Sequence, residues 1–214
     1  MLYSLALRTI LGSGFEHDKL VDVIKLFSSG YKDVNESQIL DLLFEYKEPS
    51  VDEWGTMASK RASSLFRVAM LTGAILASAP KKDISMLEEV AKHIGYAFDI
   101  QDDIIDTFAS REQYGREPCG DILKRKKPLH MIIATERDRR MASIMENGDK
   151  LREKIADIKD IIRNCGALDA AKSVSREHVK EAIKLILMTE LNAEAKEFFT
   201  SFIRYIDESL DWYK

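Results

Sequence analysis

The chain has 214 residues, 45% of them hydrophobic, with 32 basic residues against 36 acidic ones. That much apolar mass supports a sizeable core and excludes disorder as the default state, while a net charge of -4 excludes the basic excess of a generic nucleic-acid binder. Two cysteines, Cys119 and Cys165, are too few for a disulfide framework and lack metal-ligand spacing, which fits a reducing cytoplasm.

Taken in chain order, apolar residues recur at helical spacing almost throughout, and only 10 Gly and 4 Pro interrupt them. The pattern predicts an all-α helical bundle in one domain, 1–214. Leu2 to Leu11 forms a first helix, stopped by Gly12-Ser13-Gly14. It is too short to span a membrane and lacks the basic lead-in of a signal peptide. A second helix, Asp18 to Phe27, is expected to stop at Ser28-Ser29-Gly30, and a third runs from about Asn35, as N-cap, to Tyr46. Ser50 opens the fourth through an S-x-x-E capping box with Glu53, and that helix is expected to continue to about Ser78, before Pro80. The fifth covers about Ile84 to Phe108. An irregular loop, Gly115 to Lys127, follows. Helices then occupy about Leu129 to Met145, Lys150 to Arg163, Leu168 to Leu187 and Ala193 to Trp212.

The fifth helix carries the chemistry. It is apolar on most sides, through Ile94, Ala97, Phe98, Ile100, Ile104, Ile105 and Phe108, and so belongs inside a bundle. Yet Asp99, Asp102, Asp103 and Asp106 fall within an arc of roughly 100° on it. Gly95 projects onto the same face one turn earlier, leaving space beside the carboxylates. Like charges at these spacings repel, and buried unpaired carboxylates cost more than a fold can spare, so something must offset them. Hard divalent cations do so, and Mg²⁺ in particular prefers a few carboxylates plus water and phosphate oxygens. The isolated pair Asp157 and Asp160, on a visibly amphipathic helix, reads instead as a solvated face.

Basic residues complete the picture. Lys60 and Arg61 sit mid-helix among small and apolar residues, and the run Lys124-Arg125-Lys126-Lys127 follows the aspartate helix and its loop. Next to a metal cluster such lysines make a clamp for phosphate oxygens. The four histidines, His17, His93, His130 and His178, form no paired E-x-x-H motif and read as ordinary surface or core side chains.

Gly95-Tyr-Ala-Phe98-Asp99-Ile-Gln-Asp102-Asp103-Ile-Ile-Asp106 resembles the second aspartate-rich motif of the trans-isoprenyl diphosphate synthases, G-x-x-F-Q-x-x-D-D-x-x-D, with Asp99 where that family usually has Gln. Gln38-Ile-Leu-Asp41-Leu42 is similar to its G-Q-x-x-D-L helix, Lys60-Arg61 stands at its Lys-Thr pair, and Thr72-Gly73-Ala74 has the same look. Gly115 to Lys126 resembles its G-K-x-x-G-x-D-L-x-x-G-K segment, with Arg125 at the last Gly. The likeness is to archaeal-type short-chain enzymes such as geranylgeranyl diphosphate synthases.

The resemblance implies a magnesium-dependent prenyltransferase that condenses isopentenyl diphosphate with an allylic diphosphate. It implies that Asp102, Asp103 and Asp106 hold Mg²⁺ and that Lys60 and Lys126 contact the allylic diphosphate. Arg61 and Asp99 then join the same substrate pocket, with Asp99 either widening the metal site or marking a relaxed one. A cytoplasmic homodimer, or heterodimer with a related synthase, is expected, with no transmembrane segment. The family's first aspartate-rich motif and its N-terminal basic patch have no counterpart here, so the chain is expected to be the C-terminal portion of the fold. The expected reading is a truncated synthase; a regulatory partner and a split enzyme are the alternatives.

Overall fold

The computed structural model describes residues 1–146 and 151–213, and among them the helical periodicity becomes twelve helices and no strand. They are α1 (Leu2–Leu11), α2 (His17–Phe44), α3 (Val51–Lys60), α4 (Ala62–Leu76), α5 (Lys81–Phe108), α6 (Arg111–Tyr114), α7 (Gly120–Leu123), α8 (Leu129–Arg137), α9 (Arg139–Glu146), α10 (Leu151–Asn164), α11 (Ala167–Met188) and α12 (Ala193–Ser209). Ser50 caps α3 as expected: its side chain accepts from the Glu53 N–H, and Glu53 accepts in turn from the Ser50 N–H. Lys150, the expected start of the helix observed as α10, lies outside the described residues.

Three expected boundaries are corrected. The second and third helices are one, because Ser28, Ser29 and Gly30 each find a tertiary role that outweighs their poor helix propensity. Ser28 Oγ hydrogen-bonds Tyr3 Oη, and Ser29 Oγ accepts from Arg67. A Cβ on Gly30 would lie 2.3 Å from a Val68 methyl, so the bare glycine lets α2 and α4 close on each other. Asn35 is accordingly no cap; it donates to the Tyr31 carbonyl inside the helix. The fourth expected helix breaks at Arg61 (φ -82°, ψ -100°), whose N–H is shared between the Met57 and Ala58 carbonyls. The sixth, expected from about Leu129 to Met145, breaks at Asp138 (φ -135°, ψ 111°).

Helix α5 is the axis of the molecule, packed between α4 and α11. Its first half, Leu87 to Ala97, joins Leu71, Val179, Ile186, Ile203 and Ile206 in one apolar cluster. Its second half, Ile100 to Phe108, joins a larger one with Phe44, Trp54, Met57, Ile122, Met131, Ile158 and Ile162. Helices α4 and α5 meet backbone to backbone at Gly95, where a Cβ would fall 2.3 Å from Ser63 Cα and 2.4 Å from its N. The space that the sequence suggested beside Gly95 is therefore filled by the backbone of α4. Among the described residues, no helix is long and apolar enough to cross a membrane.

Candidate active site

Four segments converge on the acidic face of α5. Asp41 comes from α2, Arg61 from the break between α3 and α4, Asp121 from α7, a short helix within the expected loop, and Lys126 from the turn after α7. Asp99 receives a two-pronged bond from Arg61, Nε to Oδ1 at 2.7 Å and Nη2 to Oδ2 at 2.7 Å. The same guanidinium lies 3.5 Å from Asp41 and 3.6 Å from Asp103 Oδ2. Lys126 bridges Asp41, at 3.0 Å, and Asp121, at 3.5 Å. Asp106 Oδ2 accepts the Asp121 N–H at 3.1 Å, which ties the loop to the end of α5.

The electrostatics follow from burial. Asp99, Asp103 and Asp106 are all buried, and Asp102 stands exposed at the rim. Burial pushes the carboxyls of all four above the ordinary aspartate range, Asp103 furthest, with Arg61 pulling Asp99 and Asp103 back toward ionisation. Burial also opposes the charge of Lys126, but the hydrogen bond to Asp41 and the charge of Asp121 outweigh it and raise its pKa. Asp103 Oδ2 is buried without a hydrogen-bond partner, since Arg61 at 3.6 Å is beyond hydrogen-bonding range. A buried, unpartnered carboxylate oxygen beside an exposed Asp102 suits a hard divalent cation. Among the described residues, no three acidic, histidine or cysteine side chains already converge at metal-holding distance. The residues fit such an ion as a wall that would close on it.

Of the residues singled out from sequence, Arg61, Asp99, Asp103 and Lys126 form one network, with Asp102 and Asp106 on the next turn. Lys60 does not join it: its ammonium pairs with Glu36 of α2. Within the basic run, only Lys126 reaches the aspartates, Lys127 pairs with Glu48, and Lys124 and Arg125 are exposed. Asp157 and Asp160 pair with Lys154 and Arg163 on the surface, as their isolated motif suggested. Asp41 and Asp121 complete the network but were not among the candidate ligands. Their signal was present, since each is the aspartate of a quoted family motif.

The loop shows how those motifs survive substitution. Gly115, Cys119 and Arg125 have φ of 74°, 65° and 58°, all left-handed. They occupy the three glycine positions of the segment that Gly115 to Lys126 resembles. The backbone path is thus kept where the glycines are not. Left-handed geometry costs a side-chain-bearing residue about 1–2 kcal/mol, and Arg125 is exposed. Arg125→Gly is therefore expected to raise stability by about 0.5–1 kcal/mol, read as a higher denaturant midpoint at unchanged slope.

The fold and the site define a class: an all-helical protein with a cluster of aspartates bridged by one arginine and one lysine. Residues 1–165 match the family model described as Polyprenyl synthetase, and the chain belongs to that family. It is 28% identical over 203 residues to a short chain isoprenyl diphosphate synthase of Methanothermobacter thermautotrophicus, covering 92% of this chain and 61% of that protein. Against a geranylfarnesyl diphosphate synthase of Aeropyrum pernix it is 29% identical over 215 residues, covering 97% of this chain and 67% of the relative. Its fold matches a crystal structure of a geranylgeranyl pyrophosphate synthetase from Pyrococcus horikoshii with a TM-score of 0.87 at 22% identity, over 97% of this chain and 64% of that one. The chain spans 61% and 67% of the length of these two curated relatives.

Proposed function

We propose that this chain contributes to prenyl transfer, in which an allylic diphosphate, of the size that leads to a geranylgeranyl-type product, is condensed with isopentenyl diphosphate. The observation that carries the reading is the buried, unpartnered Asp103 Oδ2 on a helix whose neighbouring turns supply Asp102 and Asp106. Asp102, Asp103 and Asp106 hold Mg²⁺ in this reading. When bound, the metal neutralises the negative charge that develops on the leaving diphosphate. Lys126, held between Asp41 and Asp121, turns its remaining ammonium hydrogens toward phosphate oxygens. The apolar second half of α5 and its neighbours keep water from the back of the aspartates. Lys60 reaches a diphosphate only by leaving Glu36, so its role is secondary. Assembly with a second copy or a related synthase is supported by exposed apolar side chains on α1 and α2, Leu2, Leu5, Ile39, Leu42 and Leu43 among them.

The test is equilibrium binding of farnesyl diphosphate with and without Mg²⁺, followed by elongation assays with isopentenyl diphosphate. Asp102→Ala combined with Asp103→Ala is expected to weaken the Mg²⁺-dependent binding at least about 100-fold. Binding of the parent that is indifferent to Mg²⁺, or unchanged in the double variant, overturns the site. Binding without elongation assigns the chain the role of a complementary or regulatory subunit.

A further inference from the structure

Two side chains of the site depart from the family motifs quoted above, and each is the other's partner. Arg61 stands where the Lys-Thr pair has its threonine, and Asp99 stands where the aspartate motif has its glutamine. Their paired 2.7 Å hydrogen bonds form a planar fork. Neither residue fits alone. A half-buried arginine facing glutamine would lack its main counter-charge, and a buried aspartate facing threonine would be an uncompensated anion. Arg61 then extends its remaining edge to Asp41 and Asp103, so one guanidinium serves three carboxylates from two helices.

We propose that Arg61 is a resident cation of the acid cluster: locked to Asp99, it occupies the Asp103 side and thereby sets how tightly the outer carboxylates hold a divalent ion. This rests on reading the cluster as a metal site. Arg61 is in this view a positioning residue, not a phosphate ligand. It faces Asp103 Oδ2, the buried oxygen that lacks a hydrogen bond. A fixed positive charge 3.6 Å from that oxygen repels an incoming cation. The negative charge of Asp99 offsets that repulsion only in part, because it sits a helical turn back from Asp103 and is spent in the fork. The cluster therefore binds free metal weakly, and diphosphate, by adding negative charge of its own, strengthens the binding.

Three variants test this: Arg61→Thr, Asp99→Gln and the two combined, the last of which keeps the net charge of the parent. Unfolding without metal comes first. Each single change is expected to lower stability and the combination to recover most of the loss, while simple additivity overturns the pairing. Calorimetric titration with Mn²⁺ alone, without diphosphate, then reads the tuning. The combined variant is expected to bind about tenfold more tightly than the parent, a gain that a merely structural pair would not produce. Equal or weaker affinity overturns the resident-cation role. Asp102→Ala with Asp103→Ala in the same titration separates the two failures. If that variant binds Mn²⁺ as the parent does, the metal reading itself has failed and the tuning falls with it, while the stability cycle still decides whether the pair is coupled.

Discussion

Gly95→Ala is expected to destabilise the protein by about 3 kcal/mol or more, even though alanine is the better helix former by about 1 kcal/mol. The added methyl would meet Ser63 at 2.3 Å from Cα, 2.4 Å from N and 2.5 Å from Oγ. A hydroxyl can rotate away, but backbone cannot, so α4 and α5 must separate along their length. Separation would carry Arg61, just before α4, away from Asp99 on α5, and a buried ion pair pulled apart is itself destabilising. Gly73→Ala makes the control: the same chemical change in an exposed helical position with nothing within 4 Å, expected to gain about 0.5–1 kcal/mol. Urea titrations of the two variants beside the parent read opposite signs. A Gly95→Ala protein as stable as the parent would show that the helices are not in contact there.

Acid is expected to unfold the protein earlier than its surface composition suggests, and His130 is a principal cause. This side chain is fully buried, with Nε2 against Thr107 Oγ1 at 2.9 Å and Nδ1 unpartnered. Burial holds its pKa down at about 3, against an ordinary value of 6.5. A depressed histidine is neutral when folded, so its contribution is fully present above pH 6.5 and is lost as pH falls toward 3, where the unfolded chain takes up the proton first. Between pH 6.5 and pH 4 that amounts to a loss on the order of 3 kcal/mol. His178 adds to it in the same direction: burial, with the neighbouring His93 and Lys92, lowers it to about 4. The aspartates of the α5 cluster act oppositely, since carboxyls raised by burial bind protons more readily in the folded state. His130→Gln isolates the histidine term. Its melting temperature should fall less than the parent's between pH 7 and pH 4.5, and parallel profiles would remove His130 as the cause.

The elements were legible in sequence wherever a local signal set them. Leu2–Leu11 and the Ser50 capping box needed only periodicity and a cap. The errors share one cause, long-range contact overriding local preference. Ser28-Ser29-Gly30 reads as a stop until Val68 and Arg67 are brought against it. Met57 to Phe66 contains neither Gly nor Pro, so nothing local announced the break at Arg61. The acidic face of α5 was legible because four aspartates among isoleucines conflict with burial, and that conflict is visible in one helix. The partner of Asp99 was not, because Arg61 lies 38 residues away and the two substitutions only explain each other once the helices are packed.

The double membership of α5 bears on how the molecule comes apart. Its first half lines one apolar cluster and its second half lines the other, so neither cluster can open without stripping one half of the same 28-residue helix. The two clusters consequently behave as one cooperative unit, with the amides of α5 among the last to exchange with solvent. An ion or diphosphate held at the C-terminal half of that helix therefore stabilises packing at its far end as well, by mass action through a shared rod and without any contact there.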